Sequence, residues 1–433
     1  MQRTVSAAPA RRALSILAVN LRWPPHVAGG YELSAASAVR ALSARGHRVT
    51  VLCGRGSRLV ESERLLPWLE PELDRDGAER DLFALDLHGA LAARYRSHFL
   101  SPRNLAATKR ALARSRAERM LVFNLGLASR APLLAARVLG VPCLAWVADR
   151  WPANHWLEQW RSDPAQRERK PERLAWLATY EAGFRAALGN PRFACASRWL
   201  ARELARAGYA EADLSVHVPP LRSEFRGGVA PAEPRARARG EPLRVVCASM
   251  LWAGKGQHVL LAAAAQARGR GVALEVLLAG AGAADYEARL RELARDPRLA
   301  GAVRFAGRLD AAELARALAQ AHVVALPSLW GEPLATAPLE GMLHGACALL
   351  SDDGGGPETI EHLREGWIAR AGDVDAWAAA LEALAGDEAL RAALARAGRA
   401  RALAWPDEHA FADGLLGEFD ACGGPDAHAG VAP

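Results

Sequence analysis

The feature that most constrains this chain is an alternation of short apolar runs with amphipathic stretches, present before a Pro/Gly/Arg-rich interruption and again after it. Apolar runs at 14–20, 49–53, 120–124, 143–147 and 193–196 have strand length, and stretches of helical periodicity separate them. A Pro/Gly loop from Trp23-Pro24-Pro25 to Gly29-Gly30 leads into a helix predicted over 31–45, which Gly46 ends. Residues 227–242, Gly-Gly-Val-Ala-Pro followed by Arg-Ala repeats, read as an exposed linker. Beyond it strands are predicted at 243–249, 274–279, 303–305, 323–326 and 347–350. Helices are predicted at 255–268, 284–295, 310–320, 338–345, 373–385, 387–404 and 407–419. Strand–helix–strand spacing of this kind requires parallel pairing through right-handed crossovers, hence open α/β sheets.

At 433 residues the chain exceeds what one core supports. The expected organisation is α/β throughout, with two Rossmann-like, doubly wound parallel-sheet domains. A leader at 1–13 precedes a first domain at 14–226, the linker at 227–242 and a second domain at 243–404. A C-terminal helix at 405–421 is expected to return to the first domain, ahead of a disordered tail at 422–433. Two such domains facing each other place a ligand crevice outside the carboxyl ends of their strands.

The longest apolar runs are far too short to span a membrane, and Arg11-Arg12 lacks the long apolar run and cleavage site of an export signal. A cytoplasmic protein is expected. Five of the six cysteines (Cys53, Cys143, Cys195, Cys247, Cys347, with Cys422 apart) lie in or beside strand-like runs, and none form a close pair. They read as small buried hydrophobes in a reducing compartment. The histidines show no ligand spacing, so neither a metal site nor a cofactor is predicted. Residues 1–240 carry 38 Lys and Arg against 22 Asp and Glu, whereas the remainder carries 17 against 26. That asymmetry fits either two domains with different partners or a device for solubility. No nucleic-acid partner is expected.

The strongest local signal is Pro327-Ser328-Leu329-Trp330-Gly331-Glu332-Pro333-Leu334-Ala335, followed by Pro338-Leu339-Glu340-Gly341. It leaves a strand and enters a helix near Ala337, so two carboxylates can face one crevice while backbone amides hold phosphate or sugar oxygens. A carboxylate suits vicinal hydroxyls of a ribose or hexose. On these residues the chain resembles the family 4 retaining glycosyltransferases of the GT-B fold. Glu332 and Glu340 fall on the two positions of the family's Glu-x7-Glu motif. The resemblance implies that Glu332 lies beside the donor sugar and that Glu340 binds the nucleotide ribose. Gly341-Met342, Gly345, Leu349-Leu350-Ser351 and Gly354-Gly355-Gly356-Pro357-Glu358 extend the match, with Gly355 and Glu358 expected near the donor.

Lys255, in the Met250 to Gly256 segment, resembles the family's lysine that contacts the donor diphosphate. A common form of that motif has Arg where this chain has Met250, and Arg308 is a substitute cation for that role. Gly280 and Gly282 match a turn near the nucleotide, although a plain tight turn explains them as well. Gly29 and Gly30, with Glu32, resemble the family's N-terminal loop on the opposite wall; a helix-start turn is the other reading. Asp149 falls on the strand end that in many relatives orients the acceptor, but Ala148 stands where those relatives have His. Trp151, Trp156, Trp160 and Trp176, with His155, form an aromatic cluster suited to sugar stacking, a membrane interface or core packing. The basic helix with Lys109, Arg110, Arg114, Arg116 and Arg119, and with Leu105, Leu112 and Met120, suits an anionic membrane or a solvated face.

The resemblance implies metal-independent transfer of a sugar from a nucleotide-diphosphate donor to a hydroxyl on a glycan, lipid-linked or small-molecule acceptor, at the inner membrane face or free of it. A nucleotide-sugar epimerase and a non-catalytic scaffold subunit stand as alternatives on the same fold; Met250 and Ala148 keep the latter open. A dinucleotide oxidoreductase is disfavoured, because neither domain's first strand is followed by Gly-x-Gly-x-x-Gly.

Overall fold

A computed structural model describes residues 12–24, 29–54, 69–73, 101–125, 129–153, 183, 185–189, 191–227 and 234–421. Most of the expected leader, His155 with Trp156, Trp160 and Trp176, part of the linker, and the tail with Cys422 lie outside the described residues.

Two parallel sheets follow one another along the chain. The first contains β1 (Ser15–Asn20), β2 (Arg48–Gly54), β3 (Leu69–Leu73), β4 (Arg119–Val122), β5 (Cys143–Val147), β6 (Arg192–Cys195) and β7 (Leu214–Val216), in the order β3-β2-β1-β4-β5-β6-β7. The second contains β8 (Leu243–Ala248), β9 (Leu274–Ala279), β10 (Val303–Gly307), β11 (Val323–Leu326), β12 (Cys347–Ser351) and β13 (Gly366–Ala369), in the order β10-β9-β8-β11-β12-β13. Flanking the first sheet are α1 (Gly30–Ala44), α2 (Pro102–Ser115), α3 (Ala131–Val138) and α4 (Arg198–Arg206), with the short α5 (Ser223–Gly227) closing that half. The second sheet is flanked by α6 (Gln257–Gly269), α7 (Ala284–Leu293), α8 (Ala311–Ala319), α9 (Ala337–Leu343), α10 (Val374–Gly386) and α11 (Glu388–Leu403), and α12 (Glu408–Ala421) follows.

Strands β1, β11 and β12 are buried along their whole length, which is why their sequences are unbroken apolar runs rather than alternations. Helix starts are written locally. Asp310 and Glu313 form a reciprocal capping box on α8, and Asp373 and Asp387 accept from backbone amides at the starts of α10 and α11. The three strands that periodicity missed, β3, β7 and β13, are all edge strands. β3 contains Pro71, β7 has three residues and β13 begins at a glycine, so none carries the pattern of a central strand.

Helix α12 lies against α1 of the first half. Trp146 on β5 is fully buried, and its ring meets Tyr31, Phe123 and Phe411 edge-on, with centroids 5.3, 6.1 and 5.2 Å away. Burying Phe411 contributes about 2 kcal/mol, and polar bonds then fix the register of α12. Arg45 makes a bidentate pair with Asp413 at 2.6 and 2.7 Å, and Glu418 takes Arg192 at 2.9 Å and His217 at 3.0 Å. The chain therefore crosses between the two sheets twice. In each sheet the strand order reverses next to the first strand, between β1 and β4 and between β8 and β11. The loops leaving those strands form the switch-point crevices.

Candidate functional site

At the second switch point the loop after β8 meets the loop after β11. Residues Ala253–Lys255 form a 3-10 turn, Gly256 adopts φ +67, and α6 starts only at Gln257. A Cβ on Gly256 would lie 1.8 Å from the Pro327 carbonyl oxygen, and Leu329 N donates to Gly254 O at 2.7 Å. Lys255 thus sits on a turn before the helix, not at its first residue as the sequence suggested. The turn aims its ammonium at Glu332, to which it is paired. Trp330 Nε1 donates to the same carboxylate oxygen at 2.9 Å, and the Lys255 Nζ lies 5.3 Å from the Trp330 ring centroid. The two charged side chains retain only 13% and 10% exposure. An unpaired charge there would be costly, so the pair and the indole hold each other in place.

The glycine turn expected near the donor packs against the backbone of this arrangement. Gly354 has φ +78 and a Cβ there would lie 2.2 Å from Glu332 O, while Gly355 N donates to Glu332 O at 2.7 Å. Gly331 N donates to Asp353 Oδ2 at 2.7 Å. Pro333 and Leu334 are buried and Ala335 is half-buried. Glu358 points to the other half of the molecule. Its carboxylate accepts from Arg198 N at 2.8 Å and Trp199 N at 2.6 Å at the start of α4, where an anion complements the helix dipole. Glu340 is separate from Glu332 as well: its Oε1 accepts from Arg222 Nη2 and Thr336 Oγ1, both at 3.1 Å. The structure therefore joins Glu332, Lys255 and Gly355, and gives Glu340 and Glu358 partners of their own.

Gly280 and Gly282 have a steric reason. Their Cβ atoms would lie 2.0 Å from Ser249 O and 1.7 Å from Leu251 O, where the loop after β9 runs against the loop after β8. Gly280 N also donates to Gly307 O at 2.7 Å, and Arg308 follows, exposed, at the end of edge strand β10.

At the first switch point, Gly29 precedes α1 and its amide donates to Glu32 Oε2 at 2.9 Å. Among the described residues nothing lies within 4 Å of where a Cβ on Gly29 or Gly30 would stand. Tyr31, which pattern reading passed over, knots the strand ends together. Its hydroxyl is within hydrogen-bond distance of Phe123 O and Trp146 O, and accepts from Ala148 N at 3.0 Å and Trp151 Nε1 at 3.2 Å. That places the Ala148–Trp151 loop, where Asp149 Oδ1 accepts from Trp151 N at 2.9 Å. Burial, with a smaller contribution from Glu32, pushes the Asp149 carboxyl up to about 6. Its folded value lies above its unfolded one, so the folded state holds the extra proton and stability falls as pH rises from about 4 to 6. Asp149→Asn is expected to remove that slope. Relative to wild type, its melting temperature should rise on going from pH 4 to 7, matching about 2–3 kcal/mol; parallel melting curves across that range would refute the assignment.

Of the basic stretch, Arg110, Arg114 and Arg116 are exposed and Lys109 and Arg119 half-buried, while Leu112 and Met120 are buried in the core and Leu105 is half-buried; α2 ends at Ser115, so Arg119 and Met120, expected on the helix, lie on β4. The apolar side of that stretch faces the protein. Among the described residues no helix is long and apolar enough to cross a membrane.

The architecture defines a GT-B protein: two Rossmann-like sheets with a polar site between their carboxyl edges. Solved structures share it over nearly the whole chain. Anabaena Alr3699/HepE in complex with UDP and glucose matches with TM-score 0.68 and 17% identity, covering 94% of this chain and 100% of that one. The lipopolysaccharide glycosyltransferase WaaG matches with TM-score 0.62 and 14% identity, covering 96% and 100%. The model of Glycosyltransferase Family 4 matches residues 28–220 and that of Glycosyl transferases group 1 matches residues 232–401. The chain belongs to the family 4 glycosyltransferases. Among similar curated proteins, the amylovoran biosynthesis glycosyltransferase AmsK of Erwinia amylovora is 34% identical over 154 residues, 34% of this chain and 37% of that protein. A GDP-mannose-dependent alpha-(1-6)-phosphatidylinositol monomannoside mannosyltransferase of Mycobacterium tuberculosis is 34% identical over 175 residues, 39% and 45% of the two chains. These alignments span less than half of the relatives' length.

Proposed function

We propose that the protein transfers a glycosyl group from a nucleoside-diphosphate sugar to a hydroxyl acceptor, with retention of anomeric configuration. The observation that carries this reading is the Lys255–Glu332 pair beneath Trp330, at a switch point in a chain of this family. On donor binding the diphosphate takes over the Lys255 ammonium, and Glu332 turns to the sugar hydroxyls. The bond from the anomeric carbon to the phosphate oxygen breaks, and the acceptor oxygen attacks from the same face. Its proton passes to the departing phosphate. Lys255 stabilises the charge that develops on the leaving group, so this reading needs no metal ion. Glu340 Oε2 is the oxygen assigned to the ribose, because both of its protein bonds fall on Oε1. Asp149 and the open face of Gly29–Gly30 are assigned to the acceptor. Contact with an anionic membrane would rest on Arg110, Arg114 and Arg116 and so be electrostatic, with Val138 and Leu139 as exposed apolar residues on α3 and just beyond it.

The test is a thermal-shift screen against UDP, GDP, ADP and dTDP sugars, followed by release of nucleoside diphosphate with and without acceptor alcohols. One donor is expected to raise the melting temperature, and diphosphate release is expected to depend on acceptor. Formation of an epimer from the donor alone would replace transfer with isomerisation.

A further inference from the structure

We infer that Arg150, from the first half of the molecule, is a positioning residue for the Trp330–Gly331–Glu332 turn and ties the acceptor wall to the donor site. The inference rests on the donor assignment above. Arg150 directly follows Asp149 on the loop that Tyr31 holds, so its backbone is fixed by the same hydroxyl that fixes the acceptor wall. Its guanidinium stacks on Trp199 of α4, with the carbon 4.7 Å from the ring centroid, and its Nη2 lies 3.6 Å from Glu203 Oε2. At 19% exposure the group is largely out of water, and the planar stack sets its orientation.

Arg150 and Trp199 together close over Gly331. A Cβ there would fall 2.6 Å from Arg150 Nη2 and 2.8 Å from the Trp199 ring. Gly331 therefore has two reasons to be glycine, its φ of +67 and the cation and indole standing where a Cβ would be. The next residue is Glu332. Helix α4, which carries Trp199 and Glu203, is in turn gripped at its first amides by Glu358, a few residues beyond the glycines beneath Glu332. The turn that presents Glu332 is thus held between Gly354–Gly355 on its own side and Arg150–Trp199 from across the crevice. A shift of the Asp149–Arg150 loop on acceptor binding would move Gly331, and with it the Glu332 carboxylate that Lys255 meets. A displacement of about 1 Å at such a position costs on the order of 100-fold in rate.

The experiment compares wild type with Arg150→Gln, Arg150→Lys and Trp199→Leu. It measures the nucleoside-diphosphate Kd by calorimetry, kcat and KM for transfer, and the melting temperature. Arg150→Gln is expected to lower kcat on the order of 100-fold, with Kd unchanged to within about threefold. Arg150→Lys should not restore kcat, because an ammonium cannot stack as a planar fork. Trp199→Leu should give a smaller loss of the same kind. A kcat for Arg150→Gln within about threefold of wild type, or a loss fully accounted for by unfolded protein, overturns the inference. A Kd that rises in step with the loss of kcat also overturns it, by making Arg150 a direct ligand of the diphosphate. If wild type binds no nucleoside diphosphate, the donor assignment fails first and takes this inference with it.

Discussion

Lys255→Met is expected to lower kcat on the order of 10³-fold. In the proposed reaction the departing nucleoside diphosphate needs positive charge at the moment its bond to the sugar breaks, and Lys255 is the cation that the turn before α6 delivers to Glu332. Met250, where a common form of the motif has Arg, is 52% exposed and brings no charge, so in the proposed reaction Lys255 carries more of that burden. The single variant has a side effect that must be separated from catalysis. It leaves Glu332, 10% exposed, without its partner, and breaking a pair this deep costs about 3 kcal/mol. The double variant Lys255→Met with Glu332→Gln removes both charges while the amide still accepts from Trp330 Nε1. It should recover most of the melting temperature and none of the activity. Diphosphate release at saturating donor, read beside thermal melts, distinguishes the two effects. Turnover in the single variant within about tenfold of wild type would remove Lys255 from the leaving-group role.

The central strands were legible because parallel strands buried on both faces read as continuous apolar runs, as β11 and β12 do. The edges were not, since β3, β7 and β13 are short or interrupted by Pro and Gly. At the candidate site, Glu332 and Lys255 were singled out by the family resemblance of one continuous segment and of a Lys-Gly pair. Their contact was not, because the two lie 77 residues apart and only the pairing of β8 with β11 brings them together. Spacing also left the reason for the glycines open. Gly280, Gly282, Gly354 and Gly355 are small because other backbone presses on them, which spacing alone does not distinguish from room for a ligand. The place of Glu358 in the motif gave no hint of its partners, since the α4 amides it accepts from lie about 160 residues earlier in the chain. Arg150 and Arg222 carried no signal at all: each is one arginine among many in a basic half, and only the juxtaposition of the two sheets singles them out.

Arg222 is the partner that makes Glu340 testable. Glu340 is 2% exposed, and the Arg222 side chain that reaches it from just before α5 is 15% exposed, so this is a largely buried pair across the two halves. Glu340→Ala is expected to lower stability by about 3 kcal/mol, and the melting temperature by roughly 3–5 °C. Loss of nucleotide binding in that variant would be ambiguous, because a loosened seam and a missing ribose ligand predict the same thing. Replacing both partners separates them. Arg222→Met with Glu340→Met removes two desolvated charges together, and apolar pairs of similar volume commonly restore what the single change loses. Such a protein should melt near wild type. If Glu340 binds the ribose, it should still bind nucleoside diphosphate at least tenfold more weakly, the loss of about 1.4 kcal/mol expected for hydrogen bonds to a charged carboxylate. A double variant that recovers both stability and nucleotide affinity would make Glu340 a strut between the halves and assign the ribose to another residue.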